Sequence, residues 1–421
     1  MKLNVLLLCN KPNVGADANT IVDHLDAIQA YSAHEVWTYS AVGDLFTKLD
    51  LNQFDVVIIH YSLSVLNDHY LSNSSKQKIR EYTGLKVIFI QDEYRQINTM
   101  VDTLSFLKVD VIFTCFPEHE FEHIYPEARL PGVSKYNNLT GYIPVRLKEC
   151  SNQPPIADRT IDVGYRGRRL GYWYGELAYE KWNIVEKWKA HVLAKDLTCD
   201  LSYHEKDRLY GQAWIDFLSA CKTTLGVESG TSVMDFTGDI EKTVNAYQMK
   251  HPKASFHDVQ TKFLLPHEGK YQLNQISPRC FEAIALKTVL VLYEGAYSGI
   301  LIPGRHYIEL KKDFSNIDTV LALIRDDDFL QQMADRAFVE VGQNPAYGYP
   351  AYIQSVDEVI SSEFLARKKG RSVFTYTKES FEKDMGILSL KSKLTAYLFR
   401  VYQGLPYSTR QWVRAIVRPL R

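Results

Sequence analysis

A chain of 421 residues with 46% hydrophobic and 24% charged content has the make-up of a folded protein of two or three domains, and it excludes disordered and collagen-like architectures. Its 49 basic and 50 acidic residues nearly cancel, which argues against a surface built throughout to hold nucleic acid. The cancellation hides an asymmetry: from Arg367 onward 13 residues are basic and 3 acidic, a net of +10 that leaves −11 on residues 1–366.

The six cysteines Cys9, Cys115, Cys150, Cys199, Cys221 and Cys280 form no CxxC pair, so neither a zinc site nor a disulfide framework is expected, and buried thiols in a reducing cytoplasmic compartment are. The opening MKLNVLLLCN has an apolar run too short for a signal peptide and is expected to be a first strand. No segment reaches the roughly 18 uninterrupted apolar residues of a spanning helix, so the chain is not expected to be integral to a membrane, and the sequons at Asn73 and Asn138 carry no glycosylation meaning.

Over the first 145 residues, strand-length apolar runs alternate with amphipathic stretches. Strands are expected at Asn4 to Cys9, His34 to Thr38, Asp55 to His60, Lys86 to Ile90 and Val109 to Thr114, with helical spacing between them as at Asn19 to Tyr31. Nearly continuous Val, Ile, Leu and Phe marks parallel strands covered on both faces, and a βαβ series of this kind builds an open, doubly wound sheet with its ligand at the carboxyl ends of the strands. Asn10, His60, Tyr61, Asp92, Glu93 and Cys115 follow those ends.

Lys148 to Arg159, polar and with two adjacent prolines, is the expected linker between a domain at 1–150 and a second at 160–345. The second series has strands at Thr160 to Tyr165, Leu197 to Tyr203, Thr223 to Val227 and Thr288 to Tyr293, and helices at Leu177 to Ala194, Tyr210 to Cys221 and Pro278 to Leu286. Two such halves imply a cleft between them. Gly230 to Gln275 lacks strong periodicity and is expected to be a lid or acceptor loop.

The most informative segment is SPRCFEAIALKTVLVLYEGAYSGILIPGRHYIEL, residues 277–310. Ser277 is a good N-cap and Pro278 suits the first turn, so a short helix should open at the cleft, with Arg279 and Glu282 on one side of it. Its unpaired N–H groups and Arg279 suit a diphosphate, and Glu282 suits two ribose hydroxyls; the alternative is a Glu282 that only complements the helix dipole. VGYRGRRLG, residues 163–171, brings Gly167 and the guanidinium groups of Arg166, Arg168 and Arg169 to the end of a strand, where they would meet a diphosphate or simply charge the surface.

RCFEAIALKTVLVL resembles the second domain of GT-B glycosyltransferases, in which a helix carrying a ribose-binding Glu precedes a strand. YSGILIPGRHYIEL and DDDFLQQMADRA resemble that family's following loop, strand and closing helix. The likeness is nearest to bacterial family-1-like, spore-maturation-type enzymes. It implies an α/β fold of two Rossmann-like doubly wound domains facing a cleft, here followed by a helical tail. Glu282 matches the second Glu of the retaining members' Glu-x7-Glu motif, and the first falls on Asn274, which is no carboxylate. Glu228-Ser-Gly-Thr-Ser232 resembles the end of the equivalent strand, so Glu228 takes the sugar-contacting role or is an ordinary loop carboxylate. The resemblance adds Ser229, Gly230, Ser298 and Gly299 to Gly167, Arg168, Ser277, Arg279 and Glu282 as donor-binding candidates.

It further implies a nucleotide sugar as donor substrate, no cofactor, a glycan or lipid-linked acceptor, and a place in cell-surface polysaccharide biosynthesis. Expulsion of a diphosphate needs positive groups, which arginines and a helix N-terminus supply without a metal, and an inverting enzyme also needs a base, for which Asp92, Glu93 and His60 stand at strand ends. Each also has a structural reading, as a cap or a buried histidine. A nucleotide-sugar epimerase of the same fold and a two-lobed scaffold that has lost catalysis remain alternatives. Asp326-Asp-Asp328 contains a DxD but precedes an amphipathic helix, so capping is expected, and His251, His257 and His267 lack ligand spacing.

The tail is expected to form two basic amphipathic helices. SLKSKLTAYLFRVYQ aligns Leu390, Leu394, Tyr397, Leu398 and Val401, with Lys393 and Arg400 elsewhere. Beyond Gly404 and Pro406, Ser408 caps a helix with Trp412, Val413, Ile416 and Val417 opposite Arg410, Arg414 and Arg418. Seven basic residues and no acidic one follow Met385, which suits an anionic membrane surface met from the cytoplasmic side; packing on the acidic body is the alternative. Nucleic acid is not an expected partner.

Overall fold

The apolar runs at the centre of the first half leave no strand face for water, so they fold as parallel strands buried on both sides. The computed structural model describes residues 1–12, 19–40, 42–148, 153–191, 197–386, 390–406 and 409–410. In it β1 (Asn4–Cys9), β2 (Glu35–Ser40), β3 (Val56–Ile59), β4 (Leu85–Phe89), β5 (Val111–Thr114) and β6 (Ser134–Asn137) pair in the order β2-β1-β3-β4-β5-β6, all parallel. The expected strands are present with ends shifted by a residue or two. The unexpected one is β6, whose Ser-Lys-Tyr-Asn needs no apolar run because it lies at the sheet edge and is only partly buried.

The second half repeats the plan. It contains β7 (Ile161–Arg166), β8 (Cys199–Ser202), β9 (Cys221–Gly226), the short antiparallel pair β10 (Ser229–Gly230) and β11 (Asn274–Gln275), then β12 (Val289–Tyr293) and β13 (Tyr307–Leu310). The parallel sheet runs β13-β12-β9-β7-β8, so strand order reverses between β7 and β9, where a doubly wound sheet opens a crevice for ligand.

The chain crosses between halves twice, side by side: the Ile143 N–H donates to the Tyr347 carbonyl at 2.8 Å. The returning helix Tyr349–Ala366 buries Tyr349, Tyr352, Ile353, Val356, Ile360 and Phe364 against the first sheet, with Val5, Leu7, Val56, Ile58 and Val87. Its Asp357 accepts from Ser32 Oγ at 2.9 Å and from the Ala33 N–H at 2.6 Å.

Between β10 and β11 the expected loop is instead folded, with helices Asp239–Lys250 and Phe256–Val259. Arg95 forks onto both oxygens of Glu241 at 2.9 and 2.7 Å, and Met234 and Leu273 enter the core of the first half. Val233, Val244, Phe256, Val259 and Leu264 pack with Tyr172, Trp173 and Trp182 of the second. Because its apolar residues serve two bodies, the segment shows no single stripe in the sequence.

After the return helix, residues 371–381 run as a strap over the first half. Ring centroids of Phe374 lie 5.0 Å from Trp37 and 5.5 Å from Phe54, and Phe381 is buried beside them. The helices Lys378–Gly386 and Leu390–Gly404 follow. The helix expected from Ser408, with Trp412, Val413, Ile416 and Val417, lies outside the described residues, as does Cys150. Among the described residues no helix is long and apolar enough to cross a membrane.

Candidate functional site

At the β7–β9 crevice a cavity of about 240 Å³ brings together Gly167, Arg168, Glu228, Ser229, Ser277 and Arg279 from three separate stretches of chain. The chain leaves β7 through Gly167, where a Cβ would stand 2.6 Å from the Tyr165 ring and 2.8 Å from the Lys181 carbonyl oxygen, so only glycine permits this turn. Arg168 is exposed at the cavity wall and makes no hydrogen bond or ion pair among the described residues. Its neighbours are occupied. Arg166 pairs with Asp200 at 2.7 Å and lies 4.3 Å from the Phe217 ring centroid, and Arg169 donates to the Tyr172 hydroxyl at 3.2 Å.

The helix Pro278–Ala285 starts as expected. Ser277 is its N-cap in extended conformation, with its hydroxyl accepting from the Arg279 N–H at 3.4 Å, and Pro278 fills the first turn. Arg279 is exposed, donates to the Arg166 carbonyl and lies 5.3 Å from the Trp214 ring centroid.

Lys181 completes the positive wall and was not anticipated. It sits on the buried stripe of the helix Glu176–His191, among Leu177, Ile184, Val185 and Trp188, and donates to the Gly230 carbonyl at 2.8 Å. Burial pushes its pKa down to about 8, against the pull of Asp92. A lysine at the centre of an apolar stripe is the signal that could have found it. Gly230 itself has φ +104, and a Cβ there would lie 1.6 Å from the Leu273 carbonyl oxygen, so the close pairing of β10 with β11 requires glycine.

Glu228 is 6% exposed. One oxygen accepts the Tyr297 N–H at 2.8 Å and the other the Asn274 side-chain amide at 3.1 Å. A carboxylate therefore stands beside the position where the sequence motif places Asn274.

Several expected residues do not reach the cavity. Glu282 is buried and accepts from the Trp214 indole at 2.8 Å, with burial raising its pKa; Trp214 lines the cavity and Glu282 does not. The Ser298 hydroxyl accepts the Ile276 N–H at 3.1 Å, and Gly299 (φ +71) lies away from the cavity lining. His60 is wholly buried, with its Nε2 2.8 Å from His24 Nδ1 and its Nδ1 2.9 Å from Ser62 Oγ; burial and His24 hold its pKa well down, so it does not serve as a base facing the cleft.

From the first half, Asp92 is exposed after β4 in a left-handed conformation (φ 58), and its charge acts on Lys181 and Tyr174 across the cleft. Strained backbone of this kind concentrates at functional sites. Glu93 faces the other way. It accepts the Cys115 N–H at 2.6 Å and the hydroxyls of Thr114 and Tyr125, and burial raises its pKa to about 7. Asp326 caps the helix Asp327–Ala337, accepting the Phe329 N–H at 2.9 Å.

In sequence the chain matches no protein-family model and no curated protein. In structure it is similar to an α-glucosyltransferase solved with UDP-glucose and DNA containing an abasic site, at 12% identity over 86% of this chain and 100% of that one, with a TM-score of 0.50. Anabaena HepE with UDP-glucose (11% identity, 86% and 100% covered, TM-score 0.44) and sucrose-phosphate synthase from Thermosynechococcus elongatus (12%, 87% and 100%, 0.43) also match. Because the α-glucosyltransferase was solved with DNA, the comparison lends no support to the expectation that nucleic acid is not a partner. With this likeness and its two parallel, doubly wound sheets, the chain has the GT-B fold of two Rossmann-like domains.

Proposed function

We propose that the chain is a glycosyltransferase that moves a sugar from a nucleotide diphosphate sugar to a glycan or lipid-linked acceptor, without a resident metal, in cytoplasmic biosynthesis of cell-surface polysaccharide. One observation carries the reading: Arg168, Lys181, Arg279 and the N-terminus of Pro278–Ala285 converge on a cavity at the switch point of the second sheet, with Glu228 on its wall.

Departure of a nucleoside diphosphate leaves negative charge on its oxygens while the anomeric carbon becomes cationic. Donors fixed in place before the reaction stabilise that charge without reorganising. Arg168 and Arg279 donate to the diphosphate and Lys181 neutralises it from beneath. Glu228, held by Tyr297 and Asn274, accepts hydroxyls of the transferred sugar. Asp92, on the facing domain, takes the acceptor proton. The α-glucosyltransferase solved with UDP-glucose supports a uridine nucleotide as the first donor to try.

The test is release of nucleoside diphosphate from UDP-, GDP- and TDP-sugars, with saccharide and polyprenyl-phosphate-linked acceptors. Release that rises with acceptor is expected. Interconversion of the sugar without release would favour an epimerase, and binding without any turnover a scaffold.

A further inference from the structure

The helix Leu390–Gly404 presents an apolar face that nothing in the described chain covers. Leu394, Tyr397, Leu398 and Val401, spaced to share one side of the helix, are 57%, 65%, 57% and 47% exposed. Four large apolar side chains in one row are unusual on a protein surface and mark an interaction site. The charge pattern says with what. After Met385 the sequence holds seven basic residues and no acidic one, on a chain whose first 366 residues carry −11. An acidic second copy or body segment would leave this apolar row facing charge, whereas an anionic bilayer offers both an apolar interior and a negative surface.

We propose that the helix Leu390–Gly404 docks flat on an anionic lipid bilayer, with Leu394, Tyr397, Leu398 and Val401 entering the headgroup boundary and the basic side chains meeting the lipid phosphates. The strap before it fixes which half of the protein is brought to the surface. Phe374 and Phe381 are packed on Trp37 and Phe54, Arg371 pairs with Asp55 at 3.3 Å, and the Gln403 amide donates to the Tyr70 hydroxyl at 3.1 Å, all in the first domain. The helix is thus tied to the domain carrying Asp92. On the reading that this domain receives the acceptor, docking holds a lipid-linked acceptor at the cleft; the docking itself does not depend on that reading.

The test is sedimentation of the full chain with phosphatidylcholine vesicles, with and without phosphatidylglycerol, for the parent, for L394E/L398E and for K391E/K393E/R400E. These substitutions avoid the cavity, and unchanged thermal melting checks that the variants fold. The parent is expected to pellet with the anionic vesicles and not with the neutral ones. Each basic residue near the surface is worth about fivefold in partition, so reversing three of them should cost about a hundredfold or more, and L394E/L398E should remain in the supernatant. Equal pelleting of the parent with both vesicle types, no pelleting, or variants that pellet like the parent would overturn the proposal. So would a parent dimer in light scattering that L394E/L398E dissociates without any vesicle binding, since the face would then belong to a second copy.

Discussion

The side-chain amide of Asn274 donates a 3.1 Å hydrogen bond to the carboxylate of Glu228. Glu228 directly precedes the strand that pairs with Asn274, with Ser229 opposite Gln275 and Gly230 opposite Asn274, so the carboxylate stands beside Asn274 on the cavity wall. E228Q keeps the side-chain shape and the bond from Tyr297, with Asn274 turning its amide to accept, and loses the charge: transfer should fall about 10²- to 10³-fold, the range for removal of one preorganised electrostatic group, while nucleotide affinity stays within about twofold. Steady-state kinetics alongside calorimetry separates the two effects, and a proportional loss of both would assign Glu228 to simple binding.

Arg168 and Arg166 are two residues apart and are expected to behave oppositely. R168A should weaken nucleoside diphosphate binding about tenfold to a hundredfold, since charge-assisted hydrogen bonds contribute about 1.5–3 kcal/mol, and leave the melting temperature unchanged. R166A removes the partner of Asp200 and the cover of Phe217, so it should lower the melting temperature first. Calorimetry and thermal melting of the two variants decide.

Lys181, with its pKa near 8, is charged below that pH and neutral above it. Diphosphate binding should therefore weaken as pH rises through about 8, and K181M should bind weakly with no such step. Without ligand the sign is opposite. The unfolded chain keeps the lysine proton up to the ordinary 10.5, so between 8 and 10.5 it binds more protons than the folded one, and the folded state gains stability as pH rises through that window. Titration calorimetry at a series of pH values, paired with melting curves, reads both trends.

Glu93 gives a second pH signature away from the cleft. Its folded pKa of about 7 lies above the ordinary 4.5, so the folded state holds the extra proton between those values and stability declines as pH rises from 4.5 to 7. The slope amounts to on the order of 3 kcal/mol across the window. E93Q should flatten it, and identical pH profiles for parent and variant would show that another group is responsible.

Strands such as Asn4–Cys9 and Val289–Tyr293 were legible because a strand covered on both faces must be apolar throughout, and Ser277 with Pro278 because capping is local chemistry. What stayed hidden depends on partners far along the chain. Glu282 is occupied by Trp214 and His60 by His24, itself packed against Tyr352 of the return helix, and no local pattern reveals either contact. The stretch from Gly230 to Gln275 looked unstructured because its apolar residues divide between two domains. Lys181 is hidden for the opposite reason: its local pattern is a good core helix in which a single cation reads as a surface residue.

Calorimetry with UDP, GDP and TDP on the parent and on R168A/R279A reads whether the cavity beside Arg168, Lys181, Arg279 and Glu228 holds the diphosphate of a nucleotide sugar. Saturable binding of at least one of the three by the parent is expected, weakened about a hundredfold or more in the double variant. Binding of equal strength by parent and variant, or no binding of any nucleotide by a parent that melts cooperatively, would contradict it.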